Sequence, residues 1–153
     1  MVYFSIIFLV SFSIIIYITT QIAEAYSRSK LLDGDVLLSI RGTIGRVAIV
    51  PEILEGANIT QDTARISLKD SINNVFIKGV LESPSIQAWI SMRVVGLAVK
   101  GINLKDVRDI PIPLVDEGIQ QNYVSIVQQA DKSKFALKKS IEKIDNVIKA
   151  LMQ

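Results

Sequence analysis

The sequence predicts an α+β (mixed α/β) fold: a small β-rich domain with short helices, followed by one long C-terminal helix of coiled-coil type. Three patterns carry this. Short apolar runs bounded by glycine and proline fill much of the first two thirds of the chain. Two stretches of helical spacing follow one another between Ser71 and Met92. Leu137, Ile141, Ile144, Ile148 and Leu151 then recur at intervals of 4, 3, 4 and 3, a heptad seam. A chain of 153 residues suffices for one domain and an appendage.

The first segment, residues 1–18, is apolar apart from Ser5, Ser11 and Ser13, and no charge precedes Glu24. At about 1.5 Å per residue its length approaches a hydrocarbon core of roughly 30 Å, so a membrane span is one expectation. Arg28 and Lys30 behind it would then favour a cytoplasmic C-terminal side. No Lys or Arg precedes the run, which fits a cleaved signal poorly. Its Ile, Phe and Tyr content suits one or two buried strands equally well. A new start on a truncated gene is the third possibility.

Residues 19–117 read as one partial domain. Thr19 or Thr20 is placed to cap a short helix through Tyr26. Asp33-Gly34 signals a turn, residues 35–40 and 46–50 read as strands, and Arg41-Gly42-Thr43-Ile44-Gly45 lies between them as an irregular hairpin tip. Its glycines allow either a plain turn or a close approach of backbone to a ligand. Residues 63–68 alternate as a further strand. Ile72, Val75, Phe76, Val80 and Leu81 mark a helix over 71–83, and Pro84 opens a second helix carrying Ile86, Trp89, Ile90 and Met92 as core positions. Gly96 and Gly101 bracket an extended piece, and Asn103-Leu104-Lys105-Asp106 resembles a capping box before one helical turn. Pro111 and Pro113 force an extended exit.

Residues 118–153 contain no Pro and only the opening Gly118. Traced backward, the seam meets Ala130, Val127 and Tyr123, but also Lys134, a polar intrusion of the kind that fixes register or partner. Such a helix is about 50 Å long, so its seam calls for a partner helix more than for one small domain.

Composition removes several functions. There is no Cys and no His. Disulfides, thiolate zinc sites, cysteine nucleophiles and the Ser-His-Asp triad are therefore excluded. Catalysis would have to run through carboxylates, Lys, Tyr or a bound divalent ion. Asp33 and Asp35 are a conceivable metal pair, with a routine Asp-Gly turn as the plainer explanation. Net charge is +2, divided unevenly: six Lys against Asp131, Glu142 and Asp145 make residues 118–153 +3, which leaves residues 1–117 at −1. A basic DNA footprint is thus absent from the overall balance, unless Arg41, Arg46, Arg65, Arg93 and Lys100 gather on one face.

The order of motifs points further. S-K-L-L-D-G-D-V-L-L-S-I-R-G-T-I-G-R-V-A-I-V (29–50) resembles the central hairpin of target-recognition domains in type I restriction–modification specificity subunits. F-I-K-G-V-L-E-S-P-S-I-Q-A-W-I (76–90) and G-L-A-V-K-G-I-N-L-K-D-V-R-D-I-P-I-P-L (96–114) are similar to the second half of that domain. The tail from Ile119 to Gln153 resembles the family's conserved spacer helix. Family members usually hold two recognition domains and two spacer helices. This chain carries one partial copy, with the apolar run where a recognition domain would open and Asp116-Glu117-Gly118-Ile119-Gln120 in place of the usual acidic-Gln pair. A half-subunit, one piece of a split subunit and a non-functional gene remnant are all compatible with this.

The resemblance implies a cytoplasmic, non-catalytic subunit with no cofactor of its own. Its partners would be double-stranded DNA, methyltransferase subunits that use S-adenosylmethionine and, through them, the restriction subunit. A second specificity half or a second copy would join through Leu137, Ile141, Ile144, Ile148 and Leu151. Arg41, Thr43 and Arg46 at the hairpin loop are the first candidates for DNA contact, with Gln61, Arg93 and Lys100 behind them. Arginine addresses guanine bidentately or neutralises phosphate. The competing expectation, from residues 1–18, is a membrane-anchored interaction protein with a cytoplasmic coiled-coil helix.

Overall fold

The computed structural model describes residues 29–96 and 100–152 in full, together with the backbone pairing of residues 3–9 and 12–18. The chain divides into two units, Met1–Leu114 and Val115–Gln153. Among the described residues the first holds two three-stranded sheets and three short helices, and the second a single helix. The α+β expectation stands.

The apolar N-terminal run forms strands β1 (Tyr3–Leu9) and β2 (Phe12–Ile18), paired antiparallel from Tyr3↔Ile18 to Leu9↔Phe12. Isoleucine and the aromatics suit this pleated geometry. Seven residues of strand extend only about 23 Å at 3.3 Å each. Among the described residues no helix is long and apolar enough to cross a membrane. The expected helix from Thr19 or Thr20 to Tyr26 lies outside the described residues.

The central element is β3 (Val36–Ser39), flanked antiparallel by β4 (Val47–Ile49) and β6 (Thr63–Ile66). Every residue of β3 is buried, because the strand runs in the middle of the sheet with both faces covered. Leu37 joins a cluster with Leu31, Val50 and Ala57, edged by Leu54 of a 3₁₀ turn (Glu52–Leu54) and by Ile59. Strand alternation puts Val36 and Leu38 on the opposite face. The two-residue β5 (Asn58–Ile59) pairs in parallel with β1, a remote partnership that local pattern does not announce.

Helix α1 (Asn74–Glu82) packs against β3 and β4 and buries Phe76, Ile77 and Leu81. It begins at Asn74 because the Asn73 carboxamide accepts from the amides of Val75 and Phe76. Ser83 both ends α1 and caps α2 (Pro84–Ser91). Pro84, with no N–H to donate, cannot continue α1 yet fits the first turn of α2. Helix α3 (Leu104–Arg108) follows Asn103, whose side chain makes no capping bond, so the expected capping box does not form. Two expected core positions also differ. Met92 is exposed, and Trp89 is half-buried with the Arg93 guanidinium 3.6 Å above its ring.

Asp35 is structural. Its carboxylate is buried and accepts from the Leu32 amide at 2.9 Å and the Ser67 hydroxyl at 2.8 Å, with Arg65 Nε at 3.8 Å. Those partners tie the carboxylate into the fold, and among the described residues no three His, Cys, Asp or Glu side chains gather to hold an ion. Asp33 lies in the turn before β3, and Asp35 serves beside it as a buried anchor.

The second unit is helix α4 (Glu117–Leu151), capped by Asp116 through the Ile119 amide at 2.9 Å. Its 35 residues span about 52 Å at 1.5 Å each.

The caps give a direct contrast. Asn73→Ala lowers the unfolding free energy by about 1 kcal/mol, whereas Asn103→Ala changes it by no more than about 0.5 kcal/mol. Urea titrations followed by circular dichroism check both, and equal effects would contradict the assignment of the caps.

Candidate functional site

The β3–β4 connection is drawn tight around Ser39. The Ser39 amide donates to the Arg46 carbonyl, and its carbonyl accepts from the Gly45 amide, both at 2.9 Å. The Ser39 hydroxyl, buried at the end of β3, donates to the Thr43 carbonyl and accepts from the Arg46 amide. One residue thus satisfies four backbone groups of the loop from inside. Gly42 and Gly45 take φ of +66° and +86°, a region that other residues adopt only at a cost. With its backbone bonded inward, the loop turns Arg41, Thr43 and Arg46 toward solvent, where all three are exposed.

Two further segments abut this loop. The amides of Ile40 and Arg41 both donate to the Asp62 carbonyl, at 2.8 and 3.3 Å, which brings the turn carrying exposed Gln61 alongside. On another side, Gly101 bridges to Arg41 and the Ile102 amide donates to the Ile40 carbonyl at 3.0 Å. A Cβ at Gly101 would stand 3.2 Å from the Ile40 carbonyl oxygen, so only glycine fits without displacement. Lys100, exposed, precedes it in the chain. Arg41, Thr43, Arg46, Gln61 and Lys100 therefore lie on three adjoining loops, at the sheet end where β3 finishes and β4 and β6 begin.

The remaining basic candidates are employed elsewhere. Arg93 donates to the Trp89 carbonyl at 3.2 Å while covering the indole ring. Arg65 donates to the Lys30 carbonyl and lies beside Asp35. Arg41 approaches Asp62 at 3.9 Å, but both side chains are about half exposed, so the pair is weak and open to exchange for another anion. The surface at this end is modestly basic. It offers guanidinium and ammonium groups for phosphate, and an arginine fork, a hydroxyl and a carboxamide for base edges.

Sequence reasoning missed Gln87 of α2. Its Nε2 donates to the Gly45 carbonyl at 2.9 Å and to the Leu81 carbonyl at 2.7 Å, tying the loop to the helices. A lone glutamine among apolar helix positions gives no local sign of a partner 42 residues away. Asp62, which orders Arg41 through its backbone, was equally silent.

On α4, Leu137, Ile141, Ile144, Ile148 and Leu151 are 48–81 % exposed. Ile119 and Ile126, each one position off the heptad register traced back from Leu137, are also more than half exposed.

Comparison with known proteins adds two findings. The family model described as "Type I restriction modification DNA specificity domain" matches residues 9–147. The chain is 37 % identical over 129 residues to the type I restriction enzyme EcoBI specificity subunit of Escherichia coli, a match covering 82 % of this chain and 26 % of that protein. The chain spans about a quarter of the length of this curated relative.

The two loop glycines are separable. Gly42→Ala meets open space and pays only for its backbone conformation, about 1–2 kcal/mol. Gly45→Ala pays the same and also sets its Cβ 2.6 Å from Gln87 Oε1, displacing that carboxamide from its two carbonyls. Thermal melts should show Gly45→Ala as the less stable variant; the reverse order would contradict this loop geometry.

Proposed function

Because the chain belongs to the type I restriction–modification DNA specificity domain family, we propose that it reads one part of a split DNA site and docks methyltransferase subunits, performing no chemistry itself. The observation that carries this is the stapled loop, with Arg41, Thr43 and Arg46 outward and Gln61 and Lys100 on the adjoining segments. A loop already held in shape loses little conformational entropy on binding, so more of its contact energy remains for discrimination.

In this reading Arg41, Arg46 and Lys100 neutralise phosphates or, for the arginines, engage guanine edges. Thr43 and Gln61 supply the neutral donors and acceptors that base edges require. Arg93 orders the end of α2 and contributes to DNA affinity less than those on the loops. The absence of His and Cys accords with a subunit that leaves catalysis to its partners. No cofactor is assigned to this chain, and the working compartment is the cytoplasm, where the partner subunits and DNA would meet it.

Helix α4 is the spacer and docking element. An apolar seam this exposed leaves several side chains in water that a facing helix would cover, at about 25 cal/mol per Å2 of area removed. Leu137, Ile141, Ile144, Ile148 and Leu151 would pack against the helix of a second specificity half or a second copy. Methyltransferase subunits would hold the assembly, and through them the restriction subunit. A rigid rod of about 52 Å sets a separation between DNA half-sites more sharply than a flexible linker does.

Two measurements test this. With the cognate methyltransferase subunits present, the logarithm of the DNA binding constant should fall linearly with the logarithm of salt concentration, and Arg41→Ala should reduce that slope by about 1 if it meets phosphate. Binding that is indifferent to salt would contradict the assignment. The double variant Ile141→Asp, Ile148→Asp should abolish helix-mediated assembly in sedimentation velocity while the first unit keeps its circular dichroism signature. Unchanged assembly would remove the seam from the account.

A further inference from the structure

Gln87 stands between buried Ile86 and buried Ile90 on α2, at a position where a polar side chain needs a reason. Its carboxamide nitrogen carries two hydrogens, and both are used: one on the Gly45 carbonyl, the other on the Leu81 carbonyl. The loop is shaped to receive it. Gly45 has φ of +86°, and its missing side chain leaves the space in which Gln87 Oε1 sits, 2.6 Å from where a Cβ would be. Two features, a glycine and a glutamine far apart in the chain, fit one another.

We propose that Gln87 is a positioning residue for sequence discrimination, a role that rests on the proposed contact between the 41–46 loop and DNA. Ser39 fixes the internal shape of the loop, but its bonds run only within the β3–β4 hairpin. Gln87 supplies a different constraint: it ties the loop to the α1–α2 pair, and so sets the direction from which Arg41, Thr43 and Arg46 meet the duplex. Bidentate bonds to base edges weaken steeply with small errors of distance and angle, whereas contacts to phosphate tolerate them. Releasing the Gln87 clamp therefore costs discrimination among sequences far more than it costs overall affinity. Gln87 itself touches no DNA in this account, since both its hydrogens are already committed.

The experiment uses the full chain assembled with its cognate methyltransferase subunits and a random-sequence duplex pool. Gln87→Glu keeps the shape but turns a carboxylate, with no N–H, toward two carbonyl oxygens; Gln87→Met removes the hydrogen bonds without adding charge. The enriched sequence should become degenerate at one to three neighbouring positions, with discrimination there falling about tenfold. Affinity for an unrelated duplex should stay within about twofold, and amide exchange at Gly45 should quicken. A merely structural defect would weaken all duplexes alike. An unchanged enriched sequence with unchanged discrimination would overturn the proposal.

Gly45→Ala displaces the same contact from the loop side and should blur the same positions, which keeps the test decisive if a Gln87 variant fails to fold. Arg41→Ala and Arg46→Ala separate the two levels. If they change the enriched sequence while Gln87→Glu does not, the positioning role falls and the loop assignment survives. If neither arginine variant alters binding or sequence, the loop assignment falls, and the role of Gln87 with it.

Discussion

One buried hydroxyl governs the surface on which the proposed function depends. Ser39 ends a strand that is inside the protein on both faces, so apolar packing of Val36, Leu37 and Leu38 fixes where it stands. From there its backbone and side chain occupy the Arg46 carbonyl and the amides of Gly45 and Arg46, and its hydroxyl reaches the Thr43 carbonyl. A buried loop with those groups unpaired would be costly, and a solvated one would be mobile. Satisfying them inward leaves the loop ordered and the side chains of Arg41, Thr43 and Arg46 exposed to solvent. Hydrophobic burial, local hydrogen bonding and an outward recognition surface are successive consequences of the same strand end.

Much of the fold was legible because its signals are local. Asp33-Gly34, the Gly-x-x-Gly tip, Ser83-Pro84 and the Pro111 and Pro113 pair each punctuate the chain through their own backbone chemistry, and elements begin or end close to all of them. The helical periods of α1, α2 and α4 were readable for the same reason. What escaped depends on remote partners. β5 is two residues long and exists through its pairing with β1. The apolar run at residues 1–18 met both the length of a membrane helix and the composition of one or two strands, and only the pairing of residues 3–9 with 12–18 decides for strands. Asn103 looked like a cap because its neighbours matched a pattern, but no capping bond is made there.

The candidate site was half legible. Residue type and glycine spacing picked out Arg41, Thr43 and Arg46, and the structure brings Gln61 and Lys100 to the same end of the sheet. Basic character alone could not separate those residues from Arg65, which serves Asp35 and the Lys30 carbonyl, or from Arg93, which covers Trp89. Nor could it find Gln87, whose contribution lies in a contact across 42 residues of chain. Charges declare themselves in a sequence, but the partners that occupy or orient them do not. The near-neutral balance of the first unit carries the same lesson, since a DNA-facing surface can be built from three or four well-placed cations while the rest of the domain is acidic.

The central claim is that the loop closed by Ser39 faces the duplex. Its most direct test replaces Thr43 with the photo-crosslinking residue p-benzoylphenylalanine and irradiates the chain in complex with methyltransferase subunits and duplex DNA. The account predicts a crosslink to DNA, confined to one short stretch of the bound duplex and lost when that stretch is scrambled. Crosslinks that form only to a protein subunit, with none to DNA at any salt concentration that permits assembly, would contradict it.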